Sequence, residues 1–134
     1  MNRYNDNWRN YAINAIRDYL RYKEIRRDAQ TQKITAQYNK GRGGSGISRT
    51  TESAAMKTGL TRQQEREFDA VDRAIRATSH LPDGELRQRV VDMVYIYGTH
   101  TIQQAADIVY VSYGTAWRWT DTFIRKVGRN LGCD

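Results

Sequence analysis

Apolar residues recur at three- and four-residue spacing along four stretches of the chain, and that spacing predicts helices. Trp8, Tyr11, Ala12, Ala15, Ile16, Tyr19 and Leu20 mark an amphipathic helix from about Trp8 into the 26–38 region. After Ile25 its stripe thins to Ile34 and Tyr38, while Arg17, Arg21, Lys23, Arg26, Arg27 and Lys33 ring it with positive charge. Thr61 and Gln64 have the spacing of a capping box, opening a second helix with Phe68, Val71 and Ile75 inward, which must stop before Pro82. Asp83 and Gly84 reset the chain, and Leu86, Val90, Met93, Val94 and Tyr97 line a third inward face ended by Gly98.

The fourth stretch, TIQQAADIVYVSYGTAWRWTDTFIRKVGRNLG, reads as two helices joined by a tight turn. Thr101 and Gln104 repeat the capping-box spacing, so a helix starts at Ile102 with Ile102, Ala105, Ala106 and Val109 facing inward. The small alanines let another helix cross closely. Tyr110 and Val111 form the turn, with Tyr110 standing where glycine often supplies a left-handed backbone. Ser112 caps the last helix, whose stripe is Ala116, Trp119, Phe123, Val127 and Leu131, before Gly132 ends it. Its other side carries Tyr113, Gly114, Trp117, Arg118, Asp121 and Arg125. Helices near 62–79, 85–97, 102–109 and 113–131 make an all-α fold, a small helical bundle with a C-terminal helix-turn-helix at 101–131 and a basic N-terminal helical arm. The division expected is a basic amphipathic helix over 1–40, a Gly/Ser/Thr-rich linker over 41–60 and a helical DNA-binding domain over 61–134.

Charge sharpens this reading. The 134 residues carry a formal +7, unevenly placed: +8 over residues 1–62, −3 over 63–109 and +2 over 110–134. Basic ends attract a polyanion, and binding that releases counterions weakens steeply with salt. A purely solubilising role for the N-terminal charge is the competing explanation. Arg118 is placed to pair with a guanine edge, Lys126 and Arg129 suit phosphates better than bases, and Trp117 stays open between ligand contact and core.

Other chemistries find little in the chain. His80 and His100 are isolated, and the spacing of Asp69, Asp72 and Glu65 suits an exposed acidic face, so no catalytic, metal or cofactor site is expected. Gly41 and Gly46 have the separation of a phosphate loop, but Ile47 replaces the lysine that the loop needs before Ser48. Cys133 is the single cysteine and no apolar run reaches the roughly 20 residues that cross a bilayer, so the expectation is a soluble protein of a reducing cytoplasm. No heptad or broad apolar seam specifies an oligomer, although a palindromic DNA site demands a dimer.

The S-Y-G-T-A-W-R-W run from Ser112, the preceding A-A-D-I-V and the upstream L-P-D-G-E-L-R resemble the RinA and ArpU group of phage proteins, and are similar to region 4 of the sigma-70 family. The likeness extends more loosely through S-R-T-T-E at 48–52 and the basic N-terminal helix. It implies activation of late genes through double-stranded DNA near a promoter, acting with host RNA polymerase. The DNA-reading positions it implies are Ser112, Tyr113, Gly114, Thr115, Trp117 and Arg118, to which charge adds Arg125 and Lys126. Gly114 and Trp117 depart from the polar side chains usual in related recognition helices. Two alternatives stand beside this: a small terminase subunit of a phage packaging machine, and a sigma-like adaptor that binds polymerase without touching DNA.

Overall fold

The computed structural model describes residues 5–38 and 58–133. These form five helices, with no strand among them: α1 (Asn5–Tyr38), α2 (Arg62–Ser79), α3 (Gly84–Val91, continued by a π-helical turn Asp92–Ile96), α4 (Ile102–Val109) and α5 (Tyr113–Asn130). Most of the glycine-rich stretch after Lys40, with the phosphate-loop residues Gly41 to Ser48, lies outside the described residues.

Local signals set the helix ends. Both capping boxes form: the Thr61 and Thr101 hydroxyls accept from the backbone N–H of Gln64 and Gln104, whose side chains reach back to the cap N–H groups. Gly84 opens α3 hard against the end of α2, where a Cβ would lie 2.5 Å from the Thr78 carbonyl oxygen. The expected inward residues of α4 and α5 are buried or half-buried, and Thr120, Ile124 and Gly128 join the buried face of α5.

Two apolar clusters result. The larger combines Ala12, Ala15, Ile16, Tyr19 and Tyr22 of α1 with Phe68, Val71 and Ala74 of α2 and Phe123, Ile124 and Val127 of α5. Tyr19 and Phe68 stack at 4.9 Å between ring centroids. Phenol hydroxyls at the rim of this interface are satisfied by carboxylates of α2, Tyr19 donating to Asp72 at 2.9 Å and Tyr22 to Glu67 at 2.7 Å. Burial, reinforced by these acceptors, pushes both phenols well above their ordinary range. The basic N-terminal helix is therefore a wall of the bundle, with Arg17, Arg21, Lys23 and Arg27 on its exposed side and the Arg26 guanidinium 4.7 Å from the Phe68 ring centre.

The smaller cluster holds Val90, Ala105, Ala106, Val109, Ala116 and Trp119, with Leu86, Met93, Val94, Ile102 and Val111 packed against it. It fastens α4 and the first half of α5 to α3. Here one expectation fails. Tyr97 is 61% exposed and Ile96 is buried instead. The Tyr97 N–H bonds to the carbonyl of Asp92, five residues back, so the turn holds one residue more than an α-turn and the apolar phase slips by one position.

Candidate nucleic-acid interface

α4 and α5 are joined by three residues. Tyr110 closes α4 in the left-handed conformation, φ 61° and ψ 47°, with its N–H bonded to the Ala106 and Asp107 carbonyls. Val111 follows, half-buried, its N–H reaching the Ala106 carbonyl at 3.0 Å. Ser112 then caps α5: its hydroxyl oxygen accepts from the Thr115 N–H at 3.1 Å, and its O–H donates to the Thr115 hydroxyl at 3.0 Å. The fully buried alanines 105, 106 and 116 let the two helices approach closely above Trp119. A short turn and small contacts fix how the start of α5 is aimed.

The start of α5 is open to solvent. Tyr113 is 50% and Trp117 42% exposed, and Gly114 and Arg118 lie open beside them. Trp117 is thus a surface residue, while Trp119 fills the core with the Arg87 guanidinium 5.6 Å from its ring centre. Arg118 has no ion pair or hydrogen bond among the described residues, and its Nη1 lies 3.9 Å from the position a Cβ on Gly114 would take. The guanidinium therefore leans back towards the helix start, the direction in which helical side chains point. Nothing else lies within 4 Å of that added Cβ, so packing within the chain does not demand a glycine here.

The sequence-expected residues separate into three groups. Tyr113, Gly114, Trp117 and Arg118 share the open first turns of α5. Ser112 and Thr115 lie beside them with their hydroxyls engaged in the cap. Arg125 and Lys126 stand farther along and do different things. Arg125 pairs with Asp121 at 2.9 Å, whereas Lys126 is half-buried in a groove against α2 with Arg73 and Arg129.

Asp121 requires a correction, because helical spacing assigns it to the open face. Its side chain is only 14% exposed and is bound to Arg9 of α1 at 2.6 Å. Burial alone pushes its carboxyl up, but hydrogen bonds and charge from Arg125 and Arg9 outweigh this and hold it below the usual carboxylate range. Close by, Trp8 of α1 lies against Gly128, where a Cβ would fall 2.7 Å from the indole ring. The N-terminal helix thus grips the back of α5 at two points.

Sequence reasoning put Tyr113 and Trp117 on the open side of α5 but did not foresee further exposed apolar side chains before that helix. Tyr110 is 93% and Ile108 42% exposed, and both lie at or next to the turn before α5, with Tyr97 exposed at the end of α3. The chemistry on offer is flat apolar surface beside one unpaired guanidinium, suited to thymine methyls, sugars and a guanine edge. Among the described residues no group of three or more His, Cys, Asp or Glu side chains is placed to hold a metal ion, and no helix is long and apolar enough to cross a membrane. No family model, curated protein or solved structure matches the chain.

Proposed function

We propose that this protein is a sequence-specific DNA-binding transcriptional regulator whose α4–turn–α5 unit acts as a helix-turn-helix. The observation that carries the reading is the start of α5, where Tyr113, Gly114, Trp117 and Arg118 are exposed together, while farther along Phe123, Ile124 and Val127 are buried and Arg125 is ion-paired. A rigid helix presenting its first turns to a major groove about 12 Å wide is the geometry of this class of reader. The resemblance to the RinA and ArpU group makes the specific proposal an activator of phage or prophage late genes, working with host RNA polymerase in the bacterial cytoplasm.

The exposed Tyr97, Ile108 and Tyr110 favour a second reading, the sigma-like adaptor, because aromatic surface with little charge is typical of protein contacts. Binding to tiled fragments of the surrounding genome, with competitor DNA at two salt concentrations, separates the two. The regulator predicts tight, fragment-selective binding upstream of late genes, weakened about tenfold or more by Arg118→Ala, since a bidentate base contact is worth roughly 1–3 kcal/mol. Selective binding at a packaging start transfers support to the small terminase subunit. Absence of selective binding leaves the adaptor.

A further inference from the structure

Between α2 and α5 runs a groove of about 270 Å³ lined by Arg73, Ala74, Ala77, Lys126, Arg129 and Asn130. Its small side chains, Ala74 and Ala77, leave open space between three cations contributed by two helices. No carboxylate lines it, and none of the three cations has an ion pair or hydrogen bond among the described residues. Several other cations on these two helices and on α1 are neutralised. Arg76, on the same helix as Arg73, pairs with Asp72 at 2.8 Å, and Arg9, Arg21 and Arg125 also have carboxylate partners. Asn130 is tied by its amide nitrogen to the Ala70 carbonyl at 2.9 Å, which anchors one side of the groove. Lys126 is half-buried and gains no anion in return. Three like charges converging on one groove repel one another, and an anion between them removes that cost.

Position along α5 indicates which anion. Arg129 lies eleven residues beyond Arg118, about 16 Å along the helix and only about 20° around it, so the two stand on one ridge. Lys126 is about 80° around from Arg118, so the groove opens on the flank of that ridge. A ligand long enough to touch the start of α5 and follow the ridge reaches the groove through Arg129. We infer that this groove holds a backbone phosphate of the same DNA duplex that meets the start of α5, with Arg73, Lys126 and Arg129 as its ligands. The inference rests on the DNA-binding reading above and extends the contact to α2, which neither helical spacing nor the resemblance assigns to DNA.

The test compares the intact protein with the double variant Arg73→Gln/Lys126→Gln, after thermal melts establish that both fold. Affinity for a fluorescein-labelled duplex carrying a fragment the wild type selects is measured across a salt series, with Arg27→Gln on the outer side of α1 as a charge control. Loss of one phosphate contact lowers the salt slope by about one, so the double variant should lose about one unit of slope and bind about tenfold or more weakly, its fragment preference unchanged. Pyrophosphate added to the wild type should shift the backbone amide signals of Arg73, Lys126 and Arg129 in NMR spectra. Wild-type binding with the same slope in the double variant, or a loss no larger than that of Arg27→Gln, overturns the groove and leaves the DNA-reading helix standing. A wild type that binds no duplex overturns both, even if pyrophosphate still enters the groove.

Discussion

Tyr110 holds a left-handed backbone while its ring is 93% exposed, so the conformational cost is not offset by packing of the side chain. For an L-residue that cost is about 1–2 kcal/mol, and glycine avoids it. Tyr110→Gly should therefore raise the melting temperature by a few degrees, on the order of 1 kcal/mol, measured by circular dichroism. An unchanged or lower melting point would mean that the Tyr110 side chain stabilises the turn. Gly114 presents the opposite case. A glycine within a helix costs up to about 1 kcal/mol relative to alanine, and here no neighbouring group demands the missing side chain. In the proposed DNA-binding reading, its use is close approach of the duplex. Gly114→Ala should leave the fold as stable or more so, yet weaken duplex binding. Equal affinity in the two proteins would remove Gly114 from the interface.

At the scale of elements, the π-helical turn at the end of α3 decides which residues face the core, and it contains an unusual polar pair. Gln88 donates its amide to Asp92 at 2.8 Å, while its own Oε1 is buried with no hydrogen-bond partner. Burial raises the Asp92 carboxyl above its ordinary value, against the lowering effect of the Gln88 hydrogen bond. The folded state then takes up the proton more readily than the unfolded chain. The charged carboxylate therefore opposes folding at neutral pH, and that opposition fades as pH falls through the raised value. Asp92→Asn keeps the shape, removes the charge and supplies an N–H donor next to the Gln88 oxygen. It should stabilise the protein at pH 7 by about 1 kcal/mol, with the advantage shrinking as wild type and variant are melted at progressively lower pH. A constant advantage across that range would show that the charge of Asp92 does not contribute to it.

Across the whole molecule, α1 is the element whose role the charge pattern disguises. Arginines on its outer side suggest an arm, but its inner side supplies Ala12, Ala15, Ile16, Tyr19 and Tyr22 to the larger cluster. Without α1, Val71, Phe123, Ile124 and Val127 face water. Exposing side chains of this size costs roughly 1.5–3 kcal/mol each, comparable in sum to the stability of a small domain. A fragment spanning residues 58–134 should therefore lack a cooperative thermal transition, although its α4–α5 segment is intact. A sharp melt for that fragment, followed by near-ultraviolet circular dichroism, would overturn the view of α1 as part of the core.

The helices themselves were legible because their signals are local: two capping boxes, a serine cap, a break at Pro82 and apolar spacing all act within a few residues. Those signals located α2 through α5 and the buried stripe of α5 and identified Tyr110 as the residue of the turn. Tertiary structure decided what depends on how distant helices cross. Asp121 lies on a helix side that spacing marks as open, yet it is covered by Arg9, 112 residues away. Tyr97 faces solvent because one additional residue in a turn shifts the phase of α3, a choice governed by packing against its neighbours. Arg73 joins Lys126 and Arg129 only because α2 lies alongside α5. Caps and periodicity determine where each helix runs; the packing of one helix on another determines which charges are neutralised, which aromatic rings remain in water and which cations are left to meet a ligand.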